Sequence, residues 1–143
     1  MSGVVNSTGA VSGVIGQTEM NYEEIGPFSS ASSGALTGTM GYRAVKIGNI
    51  VTVIIDSQYG TTSNVTNIQV NPSLPVTWRP FSGIDFPLIC AIKGNVRQGT
   101  TLFRITHLGE MYFYGGMYSN SYWGTAATSG IEARTSFTWY ATV

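Results

Sequence analysis

The sequence predicts an all-β protein, an antiparallel β-sandwich of jelly-roll type. Short runs rich in Val, Ile, Thr and aromatic residues follow one another closely, and Gly, Asn or Pro separates them. No stretch of 11 or more residues shows a persuasive 3.6-residue hydrophobic period, so almost no helix is expected. About eight short strands joined by tight turns are typical of sandwiches and jelly rolls.

The chain divides into a lead-in and one domain. Residues 1–20 are rich in Gly, Ser, Thr and Val without a helical period, which indicates a linker or shaft segment. The head domain is predicted over 21–143, which is long enough to bury a core of its own. Strand signals follow in quick succession from Ala35 onward.

A β-hairpin is the first clear element. Residues 42–47 and 50–56 are β-branched runs, and Gly48-Asn49 between them tolerates the positive φ of a two-residue turn. The second run is apolar on both faces: Val51, Val53 and Ile55 point one way, and Ile50 and Ile54 point the other. Because one face of an antiparallel sheet usually meets water, this strand needs a second cover, either another layer of the domain or a neighbouring subunit.

The middle of the chain alternates strands with turns. A strand is predicted over 65–70, and the three prolines of 71–80 favour an extended connection across the outside of the sandwich. Residues 86–92 are expected to form a short buried strand in which Cys90 is an inert buried thiol. Gly94-Asn95 then turns the chain.

The last third of the chain predicts a second hairpin, a loop and a closing strand. Residues 100–106 are expected to pair with 111–114, and the Gly- and Tyr-rich stretch 115–130 is expected to be loop. Residues 131–143 form the closing strand, in which Thr135, Phe137 and Trp139 alternate with Ser136, Thr138 and Tyr140.

The scarcity of charge indicates assembly. Only 14 of the 143 residues are Asp, Glu, Lys or Arg, against roughly a quarter in ordinary soluble domains, and the seven acids balance the seven bases. With so few charges and no excess of basic residues, the sequence predicts no basic surface that would bind nucleic acid or an anionic membrane. No run approaches the ~20 apolar residues that span a bilayer, so no membrane insertion is expected. One Cys and one His, His107, cannot form a zinc site within one chain, so no metal or cofactor is expected.

The order of several short motifs resembles the C-terminal head domains of bacteriophage tail fibres and of fibre-like surface proteins of large DNA viruses. The resemblance covers roughly residues 40–143. It rests on Tyr42-Arg43, Gly48-Asn49-Ile50-Val51, Leu74-Pro75-Val76-Thr77-Trp78-Arg79-Pro80, Lys93-Gly94-Asn95 and the stretch from Ile105 to Met111. It implies a homotrimeric β-sandwich at the tip of a virion fibre that recognises a host-surface receptor, often a glycan. Tumour-necrosis-factor-like and C1q-like heads share the architecture and remain an alternative family.

Candidate binding residues lie between Tyr112 and Gly124. Glycan recognition uses aromatic faces that stack on sugar rings and short polar side chains that bond to hydroxyls, and Tyr and Trp supply such faces at low entropic cost. Tyr118, Asn120, Tyr122 and Trp123 stand among Gly, Ser and Asn and are the candidate contacts. The alternative is that these aromatic residues pack on the sandwich or on a neighbouring subunit.

No enzymatic function is predicted. Asp56, Asp85, Glu110 and Glu132 are the candidate acids for a glycosidase pair, but nothing in the sequence brings two of them together. A single His without a Gly-x-Ser-x-Gly pattern leaves a catalytic triad unsupported.

Three functions therefore remain open from the sequence. The first is a virion fibre head, a homotrimer that binds a host-surface glycan or protein receptor. The second is a purely structural capsid or fibre-capping domain, with trimer registration as its function and no ligand. The third, a glycan-degrading enzyme, is the least supported.

Overall fold

The computed structural model describes residues 22–141 except 32, 35, 38, 64, 65, 90, 119, 121 and 133. The predicted linker 1–20 and Cys90 lie outside the described residues. The strands are β1 (Tyr22–Ala31), β2 (Ser33–Gly34), β3 (Leu36–Thr37), β4 (Thr39–Ile47), β5 (Ile50–Ile55), β6 (Gln58–Thr62), β7 (Asn67–Val70), β8 (Ile84–Leu88), β9 (Ala91–Lys93), β10 (Val96–Arg97), β11 (Thr101–Ile105), β12 (Met111–Tyr114), β13 (Ala126–Ile131) and β14 (Thr135–Tyr140). The all-β prediction is confirmed: within the described residues the only helical turn is a three-residue 3-10 turn, Val76–Trp78.

The strands form three antiparallel sheets. Sheet 1 has the order β1-β4-β5-β14, sheet 2 the order β2-β7-β12-β11-β8, and sheet 3 the order β10-β9-β13-β6-β3. Sheets 1 and 2 pack face to face through aromatic rings. The Phe137 ring of sheet 1 stacks on the Phe103 ring of sheet 2 at 3.9 Å and meets Phe86 at 5.2 Å.

The first hairpin is confirmed in both its register and its faces. Ile47 lies opposite Ile50 across the turn, where Gly48 takes a φ of 58° that a side chain would strain. Val51, Val53 and Ile55 of β5 are fully buried against sheet 2, whereas Ile50 remains 44% exposed. Among the described residues, the outward face of this strand is therefore only partly covered, and Ile50 is its most exposed apolar side chain.

Two other predicted elements, the second hairpin and the alternation in the last strand, are also confirmed, and the connection between residues 71 and 80 is confirmed in part. β11 and β12 form the second hairpin, with Ile105 opposite Met111. Residues 71–80 contain no strand, but the connection is not wholly external, because Leu74 and Trp78 project from it into the core. In β14 the alternation holds, with Phe137 and Trp139 buried.

Three predictions about strands are wrong. Residues 86–92 are not one buried strand: β8 ends at Leu88 in sheet 2, Ile89 is exposed, and β9 begins in sheet 3. The loop predicted over 115–130 ends early, because β13 pairs with both β6 and β9. The closing strand predicted from 131 is interrupted, since β13 ends at Ile131 and β14 starts at Thr135.

The first strand was not foreseen. β1 pairs with β4 along its length, although it contains Gly26-Pro27, where the register shifts between Ile25 and Phe28. Pro lacks the N–H that a ladder needs, and it is tolerated here because β1 lies at the edge of sheet 1 and the bulge takes up the irregularity.

The ends of the sandwich are defined by contacts around Trp78. The Trp139 indole N–H donates to the Trp78 carbonyl at 3.0 Å, and Pro80 forms a bridge to Ala141, just after β14. Residues 78–80 of the connection therefore lie at the same end of sheet 1 as the Gly48-Asn49 turn, and we call this the hairpin end. Pro72, at the start of the connection, instead accepts a hydrogen bond from the hydroxyl of Tyr42, whose strand partner Ile55 lies at the other end of β5. β12 runs from Met111, opposite Val70, to Tyr114, so the segment 115–125 begins at the end of sheet 2 that is away from the start of the connection, and we call this the loop end.

Candidate functional site

The four predicted contact residues lie in the segment 115–125, which joins β12 to β13 and which we call the tyrosine loop. Tyr118 is 75% exposed, Tyr122 is 55% exposed, and Asn120 is also exposed in a turn. Trp123 is fully buried. The structure thus keeps three of the four side chains at the surface and removes the fourth.

The assignment of Trp123 to the binding surface is corrected. Its indole N–H donates to the carbonyl of Phe113 at 3.1 Å, and its ring belongs to the hydrophobic core of the sandwich. A large apolar ring whose polar atom finds a backbone acceptor is more stable inside than in water. An enclosed indole presents no face to a sugar, so Trp123 anchors the loop instead of contacting a ligand.

Glycine closes the base of the tyrosine loop. A Cβ placed on Gly115 would lie 2.5 Å from the carbonyl oxygen of Tyr122 and 2.8 Å from the backbone nitrogen of Trp123. These are backbone atoms, which cannot move aside as a flexible side chain can. The two ends of the loop therefore touch, and only glycine permits that approach.

Lys93 of sheet 3 contacts the same end of the tyrosine loop. Its ammonium group donates to the Tyr122 carbonyl at 2.7 Å, from β9 of sheet 3. Its Cε lies 3.1 Å from where a Cβ on Gly124 would stand, and Gly124 has a φ of 71°. Sequence reasoning did not assign Lys93 to the site, because only the three-dimensional packing of sheet 3 brings it to the loop.

Together these contacts fix the end of the tyrosine loop that carries Tyr122. Residues 122–124 are held by the Trp123 ring, the Lys93 ammonium group and the contact at Gly115, while Tyr118 and Tyr122 face solvent. Tyrosine offers a rigid apolar face with a polar tip. A loop that is already ordered loses little conformational entropy when it binds, which is the usual route to useful affinity from few contacts.

The other tyrosines of the stretch pack on the sandwich. Tyr114 is only 7% exposed, and the Arg104 guanidinium lies 5.7 Å from the centre of its ring. Tyr112 is half-buried beside it. For these two residues the structure agrees with packing, the alternative that the sequence left open.

The candidate acids are held in local contacts. Asp56 pairs with Arg134 at 2.8 Å, Asp85 with Arg104 at 2.6 Å, and Glu132 with Arg97 at 2.6 Å; the Glu110 carboxylate accepts a bond from the Thr106 hydroxyl at 3.2 Å. The hydrogen bonds from Arg104 lower the pKa of Asp85. A glycosidase acid needs the opposite shift, because it must keep its proton near neutral pH.

Asp85→Asn tests this ion pair through its pH dependence. The lowered pKa stabilises the folded state above the unfolded value of about 3.9, and this contribution disappears as the pH falls through the folded pKa. Because the Asp85 side chain is 47% exposed, solvent limits the effect at pH 7 to about 1 kcal/mol. Urea denaturation should show the variant less stable at pH 7 and equal to the parent at the acid end. A gap that stays constant down to pH 3 would contradict the assignment.

The described residues contain neither a cluster of metal-binding side chains nor a membrane-spanning helix. Among the described residues no three His, Cys, Asp or Glu side chains are grouped as metal ligands would be, and His107 is exposed in the turn between β11 and β12. Within the part of the chain that the structure describes, no helix has the length and apolar character needed to cross a membrane.

No protein-family model matches the chain, and no curated protein matches it.

Proposed function

We propose that this domain is the head of a virion fibre, a jelly-roll-like sandwich that assembles as a homotrimer and attaches to a host-surface receptor. The receptor chemistry that suits it best is a glycan, and a protein receptor is the alternative partner. The contact residues are Tyr118, Asn120 and Tyr122. The observation that carries the proposal is the tyrosine loop, whose base is closed and anchored while its two tyrosines face solvent.

The position of the loop supports the proposal. β1 begins at Tyr22, opposite Ile47 in sheet 1, whereas the tyrosine loop follows β12 of sheet 2. A fibre head needs its connecting segment and its receptor surface on different parts of the domain, and here the two lie on different sheets. The motif resemblance over residues 40–143 points to the same class of protein.

Trimer formation would raise affinity without new contacts. Each tyrosine loop offers few contact residues, so one site is expected to bind weakly. Linking three copies makes the second and third binding events intramolecular, which raises avidity by orders of magnitude when the geometry permits simultaneous contact.

The test is binding by the full chain to a glycan array and adsorption to host cells. Replacing Tyr118 and Tyr122 by Ala together should weaken binding by at least about tenfold, since each exposed ring that stacks on a ligand contributes about 1 kcal/mol or more. Tyr59→Ala is the matched control, because Tyr59 is 42% exposed and lies outside the tyrosine loop. The control should bind as the parent does.

The structural alternative gives a different result. A fibre-capping domain without a ligand would leave the array blank, and the double variant would adsorb as well as the parent. That outcome would refute receptor binding through the tyrosine loop. The exposed apolar side chains of sheet 1 at the hairpin end, among them Ile47, Ile50 and Tyr140, are the observation that favours this second candidate, because such a surface is a feature of assembly that needs no receptor.

A further inference from the structure

A row of exposed apolar side chains crosses sheet 1 at the hairpin end. The strand register places Tyr22 opposite Ile47, Ile47 opposite Ile50, and Ile50 opposite Tyr140, so each of the four strands contributes one residue. Their exposed fractions are 57%, 41%, 44% and 76%. Side chains paired across antiparallel strands share one face of a sheet, and the four therefore form a continuous strip.

The strip continues into a groove beside β14. Tyr140 lines this groove, which has a volume of about 320 Å³ and opens where β14, at the edge of sheet 1, passes β8, at the edge of sheet 2. Phe81 stands at the groove with 87% of its surface exposed. The remaining lining residues are Pro80, Ser82, Ile84, Phe86, Thr138 and Trp139.

The strip, Phe81 and the groove together make what we call the hairpin-end patch. None of its side chains is charged. With about 200 Å² for a whole aromatic side chain, the four strip residues and Phe81 expose roughly 600 Å² on one copy. That is at the upper limit of the largest apolar patch on a typical monomer, about 300–600 Å², and it approaches the roughly 800 Å² that each partner buries in a stable complex.

We propose that a second copy of this chain covers the hairpin-end patch. The area approaches what each partner buries in a stable contact, and the same surface carries both an exposed ring, Phe81, and an apolar groove. A surface with both features can pair with another copy of itself. An uncharged patch also brings no like charges together when two identical surfaces meet. The proposal deepens the proposed function and rests on the assembly stated there: it names the surface through which copies meet, which shares no residue with the tyrosine loop.

The patch differs from the interface that the sequence suggested. The sequence predicts a cover over Ile50 and Ile54, either another layer of the domain or a neighbouring subunit, but Ile54 is half-buried and its row contains Arg43 and Ser136. The apolar surface therefore extends from Ile50 sideways to Tyr140 and Phe81 instead of along β5.

The experiment is the mass of the full chain in solution, measured by sedimentation equilibrium. The parent should have a mass of two or more times 15.3 kDa, the mass of one chain. Phe81→Asp and Ile50→Asp each place a charge in the contact, so each should weaken association by roughly 100-fold or more. Both positions are exposed in the single chain, and unchanged β-sheet circular dichroism would show that the variants still fold.

Ile89→Asp is the matched control, because Ile89 is 77% exposed but lies after β8, at the loop end. This variant should keep the parent's mass. A parent protein with the mass of a single chain, 15.3 kDa, would overturn the proposal. Residues 1–21 or another protein would then be what covers the patch. An assembled parent whose Phe81→Asp variant stays assembled would also overturn it. Receptor binding is judged separately, because the Tyr118 and Tyr122 variants should alter adsorption without changing the mass.

Discussion

Trp123→Ala is expected to lower the free energy of unfolding by about 3–5 kcal/mol, as removal of a fully buried large aromatic ring does. The loss has two parts: the cavity left in the core, and the Phe113 carbonyl that no longer receives the indole N–H. Urea denaturation of the parent and the variant measures the difference. Receptor binding should also fall, because the loop that carries Tyr122 loses its anchor.

Trp123→Phe separates the two parts. It keeps most of the ring but removes the N–H donor, so it should cost less than the alanine variant, by an amount set mainly by the unsatisfied Phe113 carbonyl, about 1–3 kcal/mol. If Trp123→Ala changed stability by less than about 1 kcal/mol and still abolished binding, the indole would be a ligand contact after all. The anchoring role would then be wrong.

Phe103→Ala should have an effect of similar size, because this ring joins the two packed sheets. Its centre lies 3.9 Å from that of Phe137 in sheet 1 and 4.6 Å from that of Phe113 in sheet 2, and the side chain is fully buried. The expected loss is about 3–5 kcal/mol. Differential scanning calorimetry should show a melting temperature lower by roughly 10 °C or more.

Two comparisons make the Phe103 result specific. Phe103→Leu keeps an apolar side chain in the cavity and should cost less than half as much. Phe86→Ala removes a ring that is only partly buried and that lies on an edge strand, so it should also cost less. If the Phe86 variant were the more destabilised of the two, the centre of the core would lie at the edge of the sandwich and not at Phe103.

Local chemistry made the hairpins predictable. The β4–β5 turn needs a residue that accepts positive φ, and Gly48 stands there between two β-branched runs. The alternation of Phe137 and Trp139 likewise reports one buried face, which the structure confirms. In both cases the information lies within a few neighbouring residues, so no knowledge of the tertiary structure is required.

The strands that were missed or misjoined depend on distant partners. β13 is rich in Ala, Ser, Thr and Gly and has little apolar alternation, yet it is a central strand because β6 and β9 pair with it on both sides. β1 contains Gly26-Pro27, which normally argues against a strand, and it persists through its long pairing with β4. Backbone hydrogen bonds to remote segments stabilise both strands, and such bonds leave no local pattern in the sequence.

The candidate site divides in the same way. Composition alone identified a segment rich in tyrosine and glycine, and Tyr118, Asn120 and Tyr122 do lie at the surface there. Composition did not separate Trp123 from them, because exposure depends on which ring finds a cavity and a backbone acceptor. Composition also could not assign Lys93 to the site, because Lys93 lies 29 residues from Tyr122 in the chain and only the tertiary structure brings the two together.

The sequence by itself determined the fold class, the two hairpins, the buried face of the last strand and the scarcity of charge, since each follows from residue type and short-range spacing. Only the tertiary structure decided how the strands divide among three sheets, that Trp123 is enclosed, and that Phe81 and Tyr140 join an apolar strip at one end of the domain. The physical reason is that burial and pairing depend on contacts between residues far apart in the chain, whereas turn geometry and alternation depend on neighbours.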